Sequence, residues 1–149
     1  TELGVVRLVP VTTRLADIKL KDESDSLKRL SRWRRIALEA AKQSGRALVP
    51  EVAMPILFSD LIGSQQQSDY RVLFSERNGE SIDSLVPGAE SNGSLTALIG
   101  SEGGWTDAEL EAARAAGWKV VTLGGRTLRA ETAAIAVTAL LQHRFGDLN

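Results

Sequence analysis

The sequence predicts an α/β domain built on a mostly parallel sheet flanked by helices, and three observations predict it. Short β-branched runs alternate with helical segments along the chain, an order that right-handed crossovers convert into parallel strands. The segment "TDAELEAARAAG" (106–117) carries a full set of helix signals: Thr106 as N-cap, Glu109 three positions on as capping-box partner, and Gly117 as C-terminal stop. Two glycine-rich segments, "GSEGGWT" (100–106) and "GGRTLRAE" (124–131), each lead from a strand end into a helix. At 149 residues, 43% hydrophobic and 25% charged, the chain is the size of about one domain, able to bury roughly two thirds of its unfolded surface around a single core.

The elements follow in order. "TELG" at the start reads as the last turn of a helix closed by Gly4, so the N-terminus is expected to be cut from something longer. "VVRLVPV" (5–11) is a first strand that Pro10 ends or places near an edge. A helix is expected from about Ser26 to Ser44, with Leu30, Trp33, Ala37 and Ala40 at helical spacing and Gly45 as a left-handed stop. "MPILFSDLI" (54–62) reads as a short helix with Pro55 in its first turn, and "IGSQQQSD" (62–69) as a loop. "YRVLFS" (70–75) is a second strand, 76–94 an irregular polar stretch, and "LTALI" (95–99) a third strand. After the capped helix, "WKVVTL" (118–123) is a fourth strand, and a final helix runs from about Glu131 to Arg144.

Composition excludes several chemistries. With no cysteine and one histidine, disulfide frameworks, thiolate nucleophiles and the usual zinc ligand sets are ruled out, and no metal is expected. No apolar run approaches the roughly 20 residues that span a bilayer, and no signal-peptide pattern opens the chain, so no membrane partner and a cytoplasmic location are expected. The net charge of -1 is unevenly spread: residues 14–46 hold ten Lys and Arg against five Asp and Glu, and residues 47–149 hold seven against thirteen. Lys28, Arg29, Arg32, Arg34 and Arg35 cover much of the first helix. Such a surface is either a solvated face or a contact for a phosphate backbone.

The two glycine-rich segments are tight turns or, because both lie where strands of an open α/β sheet end, the walls of a small-molecule site. Their spacing is G-x-x-G-G rather than G-x-G-x-x-G, and Glu102 would repel a pyrophosphate, so a cationic or neutral ligand suits them better than a dinucleotide. In the last helix every residue from Ala133 to Leu141 except Thr138 is apolar, which leaves no face for water. It needs a second cover, either another subunit or the basic helix of the same chain.

"LIGSEGGWTDAELEAARAAGWKVVTLGGRTLRAETAAIAVTALL" (98–141) resembles the C-terminal signature of the small-subunit ribosomal RNA methyltransferase E family, in the SPOUT superfamily. "TELGV" and "EAAKQSGRALVPEV" (39–52) are similar to its other characteristic segments, so the resemblance covers nearly the whole chain in order. It implies a SPOUT-type α/β knot with a C-terminal trefoil and a homodimer through the C-terminal helix. It further implies S-adenosylmethionine as cofactor and methylation of N3 of a uridine in small-subunit ribosomal RNA. Ser101 and Gly125 stand where proline is common in the family, which is expected to loosen both loops. The family's N-terminal PUA-like RNA-binding barrel and the first strand of its knot domain would precede Thr1. The chain, as one SPOUT domain over 1–149, is therefore expected to bind cofactor but to methylate RNA inefficiently.

On this resemblance the cofactor pocket falls to Leu73 and Phe74, to Ile99, Gly100, Glu102, Gly103 and Gly104, and to Leu123, Gly124, Arg126 and Leu128. A sulfonium and a neutral adenine need no phosphate cradle, and backbone groups of the glycine loops can bond the adenine edge. Methylating a uridine N3 requires loss of its proton and stabilisation of charge on the flanking carbonyl oxygens. Arg129, with Arg126 second, fits the stabilising role, and Glu131 can orient an arginine or accept the proton. Arg32, Arg35, Gln43 and Arg46 are candidates for RNA contact, the last two also for shaping the site, whereas His143 is expected to be a structural or surface residue. Two rival readings make different forecasts. A nucleotide-dependent oxidoreductase would bind reduced nicotinamide and ignore S-adenosylmethionine. A non-catalytic RNA-binding or assembly module with a knot fold would have no need of both "GSEGGWT" and "LRAET".

Overall fold

In the computed structural model, which describes residues 1–16, 22–64, 68–85 and 93–148, the expected first strand is two. Pro10 has no N–H to give to a ladder, and it separates β1 (Arg7–Leu8) from β2 (Val11–Thr12). Helix α1 (Glu23–Gln43) begins three residues before the expected Ser26, because Asp22 caps it by accepting from the Asp25 amide at 2.8 Å, and Glu23 and Asp25 add negative charge to its first turn. It ends as the sequence implies: Gly45 takes φ +65° and the Arg46 amide donates back to the Ala41 carbonyl at 3.0 Å.

Two further short strands, β3 (Glu51–Val52) and β4 (Ile56–Leu57), pair in parallel with β1 and β2, Arg7 opposite Glu51 and Val11 opposite Ile56. The helix expected from Pro55 is thereby displaced. Ile56 donates its amide to the Pro10 carbonyl at 3.0 Å and stays extended, so α2 (Phe58–Gly63) starts later. Of the loop expected over 62–69 and the irregular stretch over 76–94, residues 65–67 and 86–92 lie outside the described ones.

The remaining elements are β5 (Tyr70–Phe74), β6 (Glu80–Ser81), a single 3-10 turn at Ile82–Ser84, β7 (Leu95–Ile99), α3 (Asp107–Ala115), β8 (Lys119–Thr122) and α4 (Ala130–Phe145). They form a parallel four-stranded sheet in the order β6-β8-β5-β7, so β8 lies between two strands that precede it in the chain. The run "YRVLF" of β5 is apolar at successive positions because both faces of the sheet are covered. Leu73 packs with Leu98 and Val120 against Phe58 and Leu61 of α2 and Leu110 and Ala113 of α3. Val72, Phe74 and Val121 pack against Val137 and Leu141 of α4 on the other face. Leu30 and Ala37 of α1 make a separate small cluster with Val52 of β3, against which Trp33 packs.

The capping box of α3 forms as read and does more than cap. Glu109, buried beneath the helix start, accepts from the Thr106 amide at 2.9 Å, the Thr106 hydroxyl at 2.8 Å and, from across the fold, the Arg14 amide at 2.9 Å. Burial pushes its carboxyl up, but the hydrogen bonds from Arg14 and Thr106, with the Arg14 charge, outweigh burial and hold it below the usual carboxylate range. A depressed folded pKa means that the stabilisation is present above the ordinary carboxylate range and lost as pH falls through the folded value. Glu109→Ala should cost about 1–3 kcal/mol at neutral pH by leaving these donors unpaired. In denaturant titrations from pH 7 down, the gap between Glu109→Gln and the parent should close as the parent's Glu109 protonates.

Candidate functional site

The three parallel strands at the heart of the sheet end level with one another, Phe74 opposite both Ile99 and Val121. The chain that leaves each carboxyl end therefore emerges at one place. Residues Phe74–Glu76, Ile99–Trp105, Thr122, Leu123 and Arg126–Leu128, roofed by Ala130, Ala133 and Val137 of α4, enclose a cleft of about 150 Å³. It lies where the two glycine-rich loops were expected to meet, at the carboxyl edge of the sheet.

The cleft is shaped by close approach at its glycines. A Cβ on Gly100 would lie 3.0 Å from the indole nitrogen of Trp105, and one on Gly103 would lie 2.6 Å from the Leu15 carbonyl oxygen. Gly104 has φ +68°, and a Cβ there would lie 2.9 Å from the Glu76 carboxylate. Its amide donates to the Ser101 carbonyl at 2.9 Å, closing a tight turn. Ser101, expected to loosen this loop, also ties it down, because its hydroxyl donates to the Leu15 carbonyl at 3.4 Å. Beneath the loop Trp105 is buried, its indole N–H donating to the Phe74 carbonyl at 2.9 Å and its ring 5.4 Å from that of Phe58.

The walls are mixed in character. Phe74, Ile99, Leu123, Leu128, Ala133 and Val137 are apolar, the carboxylates of Glu76 and Glu102 bring negative charge, and the Arg126 guanidinium brings positive charge. Such a cleft suits a ligand with an apolar or aromatic body and a cationic end.

Of the expected pocket residues, Phe74, Ile99, Gly100, Glu102, Gly103, Gly104, Leu123, Arg126 and Leu128 line this cleft. Leu73 does not: its side chain is fully buried in the core on the α3 side, because successive strand residues face opposite ways. Gly124 sits outside the lining, in the exposed turn after β8 with φ +61°. Arg129 is the N-cap residue of α4 without a side-chain capping bond, and Glu131 lies in that helix's first turn; both are exposed and neither lines the cleft. Arg126, Arg129 and Glu131 make no side-chain hydrogen bond or ion pair among the described residues.

The basic positions divide. Arg34 donates to the Val52 carbonyl at 3.1 Å and Arg29 pairs with Asp25 at 3.2 Å, whereas Lys28, Arg32 and Arg35, spaced to share one helix face, are exposed and have no such partner among the described residues. Gln43 is exposed at the end of α1. The Arg46 guanidinium donates to the carbonyls of Thr1 and Val5, which clasps the N-terminal segment to the end of α1. His143 is exposed, with Nδ1 donating to the Leu148 carbonyl at 2.9 Å, far along α4 from the cleft end. Among the described residues no group of three or more His, Cys, Asp or Glu side chains is placed to hold a metal ion, and no helix is long and apolar enough to cross a membrane.

Sequence reasoning left Trp105 without a role. The available signal was local: Trp105 precedes the N-cap Thr106 and Leu110 follows four positions after it, the spacing of a hydrophobic staple, and both pack in one core cluster.

Comparison with known proteins adds a family. Residues 1–142 match the family model described as RNA methyltransferase domain. The chain is 35% identical over 134 residues to the ribosomal RNA small subunit methyltransferase E of Mesomycoplasma hyopneumoniae, covering 90% of this chain and 56% of that protein. The crystal structure of a ribosomal RNA small subunit methyltransferase E from Neisseria gonorrhoeae, bound to S-adenosyl methionine, superposes with a TM-score of 0.83 at 33% identity, covering 99% of this chain and 59% of that one. A Legionella pneumophila structure described as a methyltransferase in complex with the cofactor SAM gives 0.86 at 27% identity, covering 96% and 57%. The chain thus spans under two thirds of the length of each of these proteins.

The glycines offer a paired test. Gly104 and Gly124 both have positive φ, but a side chain on Gly104 meets Glu76 while one on Gly124 meets nothing within 4 Å. Gly124→Ala should cost about 1 kcal/mol, the conformational penalty alone. Gly104→Ala should cost about 0.5–1.5 kcal/mol more, because the Glu76 carboxylate must also shift its rotamer. Equilibrium unfolding of the two variants reads the difference, and equal losses would mean that the Glu76 contact yields freely.

Proposed function

The chain belongs to the RNA methyltransferase domain family, and from that premise we propose that it binds S-adenosylmethionine in this cleft and methylates N3 of a uridine in small-subunit ribosomal RNA. One observation carries the reading: two glycine-rich loops, the first packed closely at Gly100 and Gly103, converge with the end of β5 beside two carboxylates. That arrangement fits this cofactor. Exposed backbone at the glycines can bond an adenine edge, Ile99, Leu123 and Leu128 can sandwich its ring, and Glu102 or Glu76 can face positive charge. When bound, S-adenosylmethionine supplies an electrophilic methyl group on a cationic sulfur.

The residues of this chain do the rest. Arg129, at the start of α4 and without a side-chain partner among the described residues, can approach the carbonyl oxygens that gain charge as a uridine loses its N3 proton, and the helix N-terminus behind it favours the same charge. Arg126 lies in the cleft wall and can bridge cofactor and base. In this reading Glu131, exposed two residues after Arg129, takes the proton or orients an arginine. Lys28, Arg32 and Arg35, exposed and without side-chain partners among the described residues, provide a basic face for ribosomal RNA phosphates. The position of β8 between β5 and β6 supports a C-terminal knot, since the chain after β7 must enter a gap between strands already laid down.

A dimer through α4 completes the reading. Only one side of α4 meets the sheet, at Val137 and Leu141, and Ile135 and Leu140 are left 63% and 42% exposed. The basic helix of the same chain does not cover them. A second copy can, and the hydroxyl of Thr138, which donates to the Ala134 carbonyl at 2.7 Å, asks nothing of such an interface.

Titration calorimetry with S-adenosylmethionine should show a saturable heat; a flat trace at millimolar ligand would refute the cofactor assignment. Arg129→Ala should slow methyl transfer to small-subunit ribosomal RNA by roughly a hundredfold or more, the usual scale for one lost oxyanion donor, with cofactor affinity within a few fold of the parent. Affinity falling in step with rate would assign Arg129 to loop closure instead. Sedimentation at micromolar concentration should show a dimer. Leu140→Lys, at a position exposed in the single chain, should yield a folded monomer.

A further inference from the structure

Arg77 stands on the chain leaving β5 and reaches across to the start of α3. Its Nη1 donates to Asp107 Oδ1 at 2.8 Å, its Nη2 donates to the Trp105 carbonyl at 3.0 Å, and its Nε lies 3.5 Å from Glu76 Oε1. Its own amide donates to the Ser75 hydroxyl at 3.2 Å, which holds the backbone from which the side chain departs. Neither Arg77 nor Asp107 lines the cleft. Trp105 is therefore held at two points by the same short segment: its indole N–H by the Phe74 carbonyl and its main-chain carbonyl by Arg77. Gly100 rests on that indole, and Gly104 abuts the carboxylate of Glu76, the residue before Arg77. The two walls of the cleft, 74–76 and 100–104, are thus spaced by a buried bond on one side and the Arg77 fork on the other.

We propose that Arg77 is a positioning residue for the cofactor cleft, setting the distance of the 100–104 loop from the end of β5 through its simultaneous bonds to the Trp105 carbonyl and Asp107. The inference rests on the reading of the cleft as the S-adenosylmethionine site. A planar guanidinium can serve two acceptors at once in fixed directions, and a lysine ammonium on this stem can serve one. An exposed ion pair contributes little to global stability, so the effect of losing it falls on the loop rather than on the fold. Without the fork, the loop samples more positions, and a ligand must select the competent one.

The test compares the parent with Arg77→Ala, Arg77→Lys and Asp107→Asn. In the ligand-free protein, amide exchange of Gly104, whose N–H donates to the Ser101 carbonyl, should accelerate about tenfold in Arg77→Ala with the melting temperature nearly unchanged. S-adenosylmethionine affinity should fall about tenfold in the same variant, the scale of one charge-assisted hydrogen bond, with methyl transfer at saturating cofactor retained. Arg77→Lys and Asp107→Asn should fall between it and the parent. Unchanged exchange in Arg77→Ala overturns the proposal, as does affinity that stays at the parent's value while exchange rises. A lysine variant equal to the parent in both measurements replaces the fork by simple charge and overturns it also. If the parent itself binds no S-adenosylmethionine, the cofactor reading fails, and the exchange measurement alone decides whether Arg77 positions the loop.

Discussion

The hydrogen bond from the buried indole of Trp105 to the Phe74 carbonyl joins the core of this protein to its cleft. Phe74 is the last residue of the central strand, and Trp105 closes the glycine-rich loop and precedes the cap of α3. A large apolar ring anchored among Phe58, Leu110 and Trp118 cannot move without disturbing one whole face of the sheet. The loop above it rests on that ring: a Cβ on Gly100 would come within 3.0 Å of the indole nitrogen, and a ring so packed has little room to give. A cleft edge made of glycine, intrinsically the most flexible residue, is thereby tied to the core beneath it.

Two layers of support extend from this junction. Beneath α3, Glu109 joins the helix cap to the backbone at Arg14, and the segment that follows β2 lies against the loop, where Leu15 meets Gly103 and Ser101. The cleft is consequently tied to the first, short-stranded part of the fold as well as to the large sheet. On the opposite face α4 supplies the roof through Ala133 and Val137 while its far side stays apolar and open. One helix covers the sheet, walls the cleft and presents an unpartnered surface, which explains why it has no polar face: each stretch of its circumference answers a different packing demand.

Charge is distributed to match. The acidic excess of the C-terminal part places Glu76 and Glu102 at the cleft, and the basic excess of the N-terminal part leaves Lys28, Arg32 and Arg35 on α1 without partners among the described residues. Arg29, Arg34 and Arg46 carry the same formal charge but bond within the chain, so the basic surface is narrower than the count of cations suggests. A guanidinium that bonds backbone carbonyls, as Arg34 and Arg46 do, acts as a structural clasp.

The elements that could be read in the chain are those whose signals are local. The capping box at Thr106 and Glu109, the left-handed stops at Gly45 and Gly117, and the doubly apolar run of β5 each lie within a few residues, and each forms where the sequence places it. From those, the sequence by itself determined the parallel sheet and the carboxyl-edge loops, and its family resemblance supplied half of the residues that line the cleft. Tertiary structure alone decided the rest, because the deciding partners are distant. Arg7 meets Glu51 and Val11 meets Ile56 in strands of two residues, too short to leave a periodic pattern, and the bond from Ile56 to Pro10 delays a helix that local propensity would begin earlier. Leu73 and Phe74 are alike as apolar neighbours, and only the pleat sends one into the core and the other to the cleft. Arg46 reads in the sequence as a candidate for RNA contact or for shaping the site, and Arg77 as an ordinary surface cation. Their roles arise from carbonyls and a carboxylate brought within about 3 Å by folding, a proximity no spacing along the chain encodes.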